Sequence, residues 1–459
     1  MSHPNPRLTL AAAATAFFMV ILDTTVVNVA LGPMQSSLNA DVANSQWIVD
    51  SYALIFAGLL LAGGAITDRF GARHTFTAGL ALFTLSSVLC GAAPTLSFLI
   101  AARILQGIGA ALLLPASLAA LRHAIPNPAQ RSKALGLWAA TGSSALAAGP
   151  VLGGILIQLL GWRSIFWINL PVGLLAIFFA WTSTPDTTND NPQPLNLPAN
   201  ALGILALASL SYAFIEFPNH PDSPLAQISI PLALLSAAAF ILIELRHKNP
   251  LIPKPLWKHP PFITVTTIGF LGNFAYYGLV FFLGLFLERN LSFSPLHTGL
   301  CFLPLTASTI SANPISGRWT AHRGSRGPML TGQLLTGLAL LSLAFTHQNF
   351  PLMLAFLFPI GFGMGLIVPA ITSAALSSVD PAQSGIAAGI LNTSRQIGGV
   401  LGVALTGLLL AHNRPYPSAL SLGSTTCGAL LLASTLLTLN FVTAHTPTPI
   451  PLDEPLFIE

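Results

Sequence analysis

Charge is what this chain has least of: only 7% of its 459 residues are Asp, Glu, Lys or Arg, where a soluble domain carries roughly 25%. With 53% hydrophobic residues and a mean hydropathy of +0.72, a string of water-solvated domains is excluded, and one polytopic unit solvated by lipid fits. Cysteine is nearly missing too. Cys90, Cys301 and Cys427 lie far apart in or beside apolar runs, which excludes a disulfide framework or zinc spacing and leaves them as packing residues. No dense basic run exists, so the net charge of +4 and the pI near 9.2 do not announce a nucleic-acid partner. No GxxxxGK[ST] segment is present to cradle phosphates, so no ATP step is implied. The histidines, among them His74, His123, His220, His247, His259, His297, His322, His347 and His412, sit mostly in or near loops and never at the spacing of a helical metal site. A membrane-embedded enzyme needs such clustered ligands at depth. The chain is therefore expected not to be an enzyme and to need no cofactor and no metal.

What is present is a succession of apolar runs. A helix needs about 20 residues to cross roughly 30 Å of hydrocarbon, and cutting the chain at its charged, Pro-rich and Asn-rich interruptions leaves about fourteen such runs: 8–32, 46–67, 75–94, 97–120, 134–159, 163–183, 199–217, 227–245, 262–287, 296–316, 328–346, 351–375, 384–411 and 419–442. The first run reads as a membrane helix rather than a secretory signal, because Asp23 interrupts it, it has the length of a full span and no small-residue cleavage site follows. Lys and Arg concentrate in alternate gaps. With the N-terminus inside, Arg7, Arg69, Arg73, Arg122, Arg131, Lys133, Arg246, Lys248, Lys254, Lys258, Arg318, Arg323 and Arg326 fall inside, and Arg163, Arg289 and Arg414 outside, which predicts N-in and C-in.

The segment GAITDRFGAR (64–73) returns as GRWTAHRGSR (317–326). Gly64/Gly317, Thr67/Thr320, Gly71/Gly324 and Arg73/Arg326 coincide at a constant offset of 253 residues, and parallel halves are how many secondary transporters are built. The offset is longer than six helices need, so the runs near 199–217 and 227–245 read as inserted between two six-helix halves. The expected organisation is an all-α polytopic protein with a six-helix bundle in 1–185, a linker with two inserted helices in 186–261, a second six-helix bundle in 262–445 and a cytoplasmic tail in 446–459. The linkers, Pro185 to Pro198 and Arg246 to Pro261, are expected to be flexible or extended, since Pro lacks the amide donor and Asn favours turns.

An ionisable group at mid-membrane costs at least about 2.5 kcal/mol on insertion scales and asks for a partner or a function. Asp23, Asp50, Arg103 and Arg395 stand out. Counting residues along their runs at the helical rise puts Asp23, Asp50 and Arg103 in one layer near the outer surface. Two acids and one guanidinium at one depth suggest a site where one acid pairs with Arg103 and the other gains and loses a proton. The alternatives are a static ion pair locking the first and fourth helices, and an Asp50 merely wetted at the rim. Arg395 lies near the midplane without an obvious buried acid partner in the second half, Glu288 being at a helix end. It either binds anionic cargo or is relieved by snorkelling and hydrogen bonds to carbonyls. Glu216 and Glu244, at the ends of the inserted helices, default to the surface.

These segments resemble the major facilitator superfamily, and within it the fourteen-span drug:proton antiporters, over nearly the whole chain. LDTTVVNVAL (22–31) is similar to the first-helix motif of that branch, which places the membrane-embedded acid at Asp23. The stretch from Gly64 to Arg73 resembles the loop signature GxxxDRxGxR, in which Asp68 with Arg69 and Arg73, and Gly64 and Gly71, clamp helix ends in the outward-facing state. RILQGIGAALLLPA (103–116) resembles the fourth-helix motif whose Arg, here Arg103, is tied to proton transfer. AGPVLGGIL (148–156) is similar to the exporter motif GxxxGPxxGG, with Gly149, Pro150, Gly153 and Gly154 in place and Ala145 replacing the first glycine. The second-half copy of the loop has Ala321 and His322 where Asp68 and Arg69 stand, so it lacks the acidic lock.

The resemblance implies the superfamily fold, two six-helix bundles plus two inserted helices, in the plasma or inner cell membrane. It implies proton-coupled export by alternating access, with proton coupling at Asp23 and Arg103, to which the shared depth adds Asp50. Arg395, Gln106, Asn273, Tyr276 and Tyr277 are candidates for a substrate path. The aromatic stretch FAYYGLVFFLGLF (274–286) either lines an apolar cavity that attracts cations through ring faces or faces lipid and core. The expected partners are protons, the lipid bilayer and a lipophilic small molecule, with a cation the first expectation; a periplasmic adaptor is left open. The rival readings are an exporter of one metabolite, a nutrient importer on the same fold and a non-transporting scaffold.

Overall fold

A computed structural model describes residues 5–185, 196–217, 220, 222–247, 250–346, 349–379, 384–411 and 416–442. Every apolar run is helical. In chain order the helices are α1 (Pro6–Leu38), α2 (Val42–Phe70), α3 (Ala72–Ala92), α4 (Leu96–Ala124), α5 (Pro128–Leu160), α6 (Ser164–Trp167), α7 (Asn169–Ser183), α8 (Leu197–Glu216), α9 (Pro224–Arg246), α10 (Pro260–Leu285), α11 (Pro295–Cys301), α12 (Leu303–Arg323), α13 (Arg326–Leu343), α14 (Phe350–Ser377), α15 (Ser384–Ala411) and α16 (Tyr416–Phe441). Two runs are broken, at Ile168 between α6 and α7 and at Phe302 between α11 and α12. Among the described residues eleven helices are long and apolar enough to cross a membrane, twelve when the bent α5 is taken as one. The α11/α12 pair and α13 are helical but fall outside that set: α12 carries Ser308, Ser311, Asn313, Arg318 and His322. The 46° bend in α5 separates Lys133–Leu146 from Ala148–Leu160, and Pro150, whose ring removes the bond to the carbonyl four residues back, accounts for it.

The internal repeat has a backbone cause. Gly71 and Gly324 turn the chain between successive helices with φ of +85° and +79°, a region that side chains rarely enter. Each caps the helix before it, Gly71 N–H donating to Thr67 O (2.9 Å) and Gly324 N–H to Thr320 O (3.0 Å). The repeated arginines also do matching work. Arg73 lies over the Trp181 ring at 4.5 Å, on α7, and Arg326 donates to Leu439 O at 3.0 Å, on α16. In each half the arginine after the turn fastens the last helix of its own bundle. Gly71→Ala is expected to cost about 1–3 kcal/mol, because φ +85° with ψ 150° is a conformation essentially restricted to Gly, and to lower the melting temperature in detergent. Gly64→Ala, with open space around the added carbon, should leave it unchanged or raise it, since Ala favours a helix interior.

Each half has its own apolar core: Phe56, Phe76 and Phe83 belong to the first, Phe262, Phe302 and Met364 to the second. A third cluster joins Val26, Met34 and Ile48 of the first half to Phe281, Leu285 and Val403 of the second. It lies towards the C-terminal end of α1, so the bundles are fused at that end. α8 and α9 pack on each other, and α8 also packs on α2 and α15.

Two expectations need correction. The linker 246–261 is not free: Lys254–Lys258 form a 3-10 turn and Leu256 is buried in the second core. Glu244, expected at the surface, is 1% exposed. Its carboxylate accepts from Leu251 N–H (3.1 Å), Ile252 N–H (3.0 Å) and Asn196 Nδ2 (3.4 Å); charge-assisted bonds of this kind make a buried carboxylate tenable, and here they pin the linker to α9. The other linker lies largely outside the described residues, as do Lys248, Arg414 and the tail at 446–459.

Candidate functional site

The polar centre is built by α1, α2 and α4. Asp23 and Arg103 are each 1% exposed and form an ion pair. Arg103 Nη1 also donates to Gln106 Oε1 at 2.8 Å, and Gln106 Nε2 donates to Asp23 Oδ1 at 2.9 Å, closing a triangle. Arg103 Nε donates to the Ile48 carbonyl at 3.1 Å, and its guanidinium lies 4.2 Å from the centre of the Tyr52 ring. Arg103 and Gln106, three residues apart on α4, face the same way, which is why one helix supplies two corners of the triangle. Both carboxylate oxygens of Asp23 and the Nε and Nη1 of Arg103 are thus engaged, the kind of further bonding that a buried ion pair requires.

Asp50 is different. It is 0% exposed, and both carboxyl oxygens are buried without a hydrogen-bond partner. It lines a cavity of about 20 Å³, room for a single water. Thr24, Asp50 and Arg103 form one wall, and Tyr277, Gln396 and Gly399 the other. The cavity lies where the two halves meet. Asp23, Arg103 and Asp50 therefore come together around one place, though Asp50 makes no bond to the guanidinium.

The remaining candidates separate. Gln106, expected along a substrate path, belongs to the ion-pair triangle. Tyr277 lines the cavity, whereas Tyr276 packs in the apolar core of the second bundle. Arg395 is partly buried and donates to Asn273 Oδ1 and Asn392 Oδ1, each at 3.4 Å, so two neutral amides from α10 and α15 relieve it. Asp68 and Arg69 are exposed and form no ion pair among the described residues. Tyr52 and the Ile48 carbonyl had no pattern to reveal them, because they meet Arg103 only through the packing of α2 on α4.

The α5 glycines are contact points. A Cβ on Gly149 would collide with Thr25 Oγ1, and one on Gly153 would lie 2.6 Å from Val26 Cγ2, both on α1. Gly154 faces the other half, 2.8 Å from Pro295 O by the same measure. The pattern recurs in the second half, where Gly398 and Gly402 on α15 press against the Phe270 and Phe274 carbonyls of α10. Small residues let membrane helices approach this closely, and α5 touches both halves at once.

The Major Facilitator Superfamily family model matches residues 13–403, with a second, overlapping match at 286–454. The chain belongs to the major facilitator superfamily. It is a membrane transporter. Among its relatives within that superfamily are the methylenomycin A resistance protein of Bacillus subtilis, 37% identical over 96% of this chain and 95% of that one, the multidrug resistance protein Stp of Mycobacterium tuberculosis, 35% identical over 88% and 76%, and the tetracenomycin C resistance and export protein of Streptomyces glaucescens, 32% identical over 89% and 76%. Of solved structures, a peptide transporter in complex with sulfate aligns with a TM-score of 0.71 at 15% identity, covering 95% of this chain and 96% of that one. The human organic anion transporter MFSD10 aligns with 0.68 at 16%, covering 95% and 100%. At such identity these two show the facilitator fold alone.

Proposed function

We propose that this facilitator is a proton-coupled antiporter that exports drugs or other amphipathic small molecules by alternating access. The observation that carries the reading is Asp50: a fully buried carboxyl with no partner, on the wall of a cavity between the two halves. An ionised carboxylate in that setting is prohibitively costly, so the group holds its proton here and gives it up only when the surroundings change. Alternating access supplies the change. Asp23, held by Arg103 and Gln106, is the fixed charge of the site, and Asp50 the group that loads and unloads. Relatives named for drug and antibiotic resistance support export.

In this reading all fourteen runs cross the membrane, with N- and C-termini in the cytoplasm and the protein in the plasma or inner membrane. The α1 C-terminal end then faces outward. That end is closed: Gln46 Nε2 on α2 donates to Val403 O (3.1 Å) and Ala404 O (3.3 Å) on α15, while α5 meets α11 backbone to backbone. The loop clamp at the opposite end, where Asp68 and Arg69 form no ion pair among the described residues, is then open, in agreement with a conformation closed to the outside. Gly64, Asp68, Arg69, Gly71 and Arg73 would engage after the halves rock, and Gly149, Pro150, Gly153 and Gly154 give α5 its bendable contact. Relatives named for single antibiotics favour a second reading, an exporter of one metabolite.

Transport into inside-out vesicles tests the reading. A fluorescent lipophilic cation should accumulate when the lumen is acidified, and a protonophore should abolish accumulation. Accumulation instead in right-side-out vesicles, driven by outside acid, would make the protein an importer.

A further inference from the structure

Glu288 is an acid near the closed end that the reading above leaves unused, and unlike Asp41 and Glu216 at that end it reaches across to the backbone of the other half. It lies in a π-helical turn, Phe286–Asn290, that continues α10; such turns are rare and frequent at functional sites. Its side chain crosses to the other half. Oε2 accepts from the backbone N–H of Gly32 on α1 at 2.9 Å, while Oε1 is buried with no partner. The contact lies next to a helix-interior proline. Pro33 lies inside α1 and weakens the helix around it, and a Cβ on Gly32 would collide with the carboxylate. One turn earlier α10 again approaches α1 backbone to backbone, a Cβ on Gly284 lying 2.9 Å from Asn28 O. Next to Glu288, Arg289 donates to Gln35 of α1, and Gln35 to Ser45 of α2.

We infer that Glu288 is a second proton-accepting group, a latch between the halves: ionised, it holds α10 on α1 and keeps the outward end shut, and on taking a proton it lets that end open. A charge-assisted bond to a backbone N–H is roughly twice as strong as a neutral one, so protonation weakens the contact that distinguishes the closed state, and a proton thereby shifts the conformational equilibrium. The charged groups around Glu288 are few. Arg289 shares its turn and is engaged by Gln35; on α11, His297 is exposed and paired with Ser294 Oγ; α1 presents only the neutral Gly32 and Gln35. Of these groups Glu288 is the one bonded to the backbone of α1. The inference rests on the proposed orientation and proton coupling, and adds the order of events: an outside proton opens the mouth before one reaches Asp50.

The test is a distance measurement across the mouth, independent of transport. Spin labels at Ser36→Cys on α1 and Leu300→Cys on α11, with Cys301 and Cys427 replaced by serine, are read by double electron–electron resonance in lipid nanodiscs at high and low pH. In the parent the longer-distance population is expected to rise about tenfold relative to the shorter one on acidification, a shift that one charge-assisted bond suffices to bias. Glu288→Gln should show the longer distance at both pH values, and Gly32→Ala, whose added carbon displaces the carboxylate while leaving its chemistry unchanged, should do the same. A Glu288→Gln variant whose populations follow pH as the parent's do would overturn the latch, as would a parent insensitive to pH. Should Glu288→Gln fail to reconstitute, Gly32→Ala decides alone. Failure of the antiport reading looks different: Asp50→Asn would still pump along a proton gradient while the distances kept their response to pH.

Discussion

Asp50→Asn is expected to abolish gradient-driven export while leaving the protein folded and able to exchange cargo across a membrane with equal pH on both sides. The reason is the isolation of the carboxyl. Neither oxygen has a partner, so the amide breaks no bond, and a group whose ionised form was the costly one is replaced by a neutral one of the same size. Its melting temperature in detergent should equal or exceed that of the parent. What is lost is the ability to release a proton in one conformation and bind it in the other, and without that difference no gradient can drive the cycle. Measuring export under an imposed gradient beside cargo exchange without one separates the two. Loss of both would place Asp50 in cargo binding or folding, and retention of both would remove it from the mechanism.

Arg103→Ala should do the opposite kind of damage. Removing one member of a buried, hydrogen-bonded pair typically costs about 3–5 kcal/mol, because the other charge is left unpaired. Here Asp23 would keep only Gln106 Nε2, and the Tyr52 ring and the Ile48 carbonyl would lose their cation. A large drop in melting temperature is expected together with complete loss of transport. Arg103→Lys should recover little, since an ammonium cannot span Asp23, Gln106 and Ile48 with one planar fork. The double variant Asp23→Asn with Arg103→Gln, which leaves no charge behind, should regain much of the stability and none of the transport. An Arg103→Ala protein that melts like the parent would show that the triangle is not holding α1, α2 and α4 together.

The contrast between these acids was only half visible in the chain itself. Counting residues along apolar runs put Asp23, Asp50 and Arg103 in one layer, because depth follows from the helical rise alone. Which acid the arginine takes depends on how the helices are rotated about their axes and how closely they approach. Asp23 is reached because α1 and α4 pack with Gln106 completing the contact; Asp50, two residues before the Tyr52 that stacks on the same guanidinium, is turned into the cavity instead. Tyr276 and Tyr277 are adjacent in sequence and end in different environments, one in a core and one on the cavity wall, as the helical rotation between neighbours demands. Glu244 and Glu288 both read as helix-end residues, where charge is normally solvated. Both are engaged by backbone amides of segments distant in the fold or folded back on it, and nothing local announces such a partner.

The sequence by itself determined the solvent, the helices and the two-fold plan: scarce charge and long apolar runs admit only a bilayer, and the paired turns at Gly71 and Gly324 repeat because each needs a residue without a Cβ at positive φ. Tertiary structure alone decided which charges are neutralised and which stand unpaired. That outcome depends on contacts of about 3 Å between helices far apart in the chain, and a hydrogen bond is lost within an ångström of displacement.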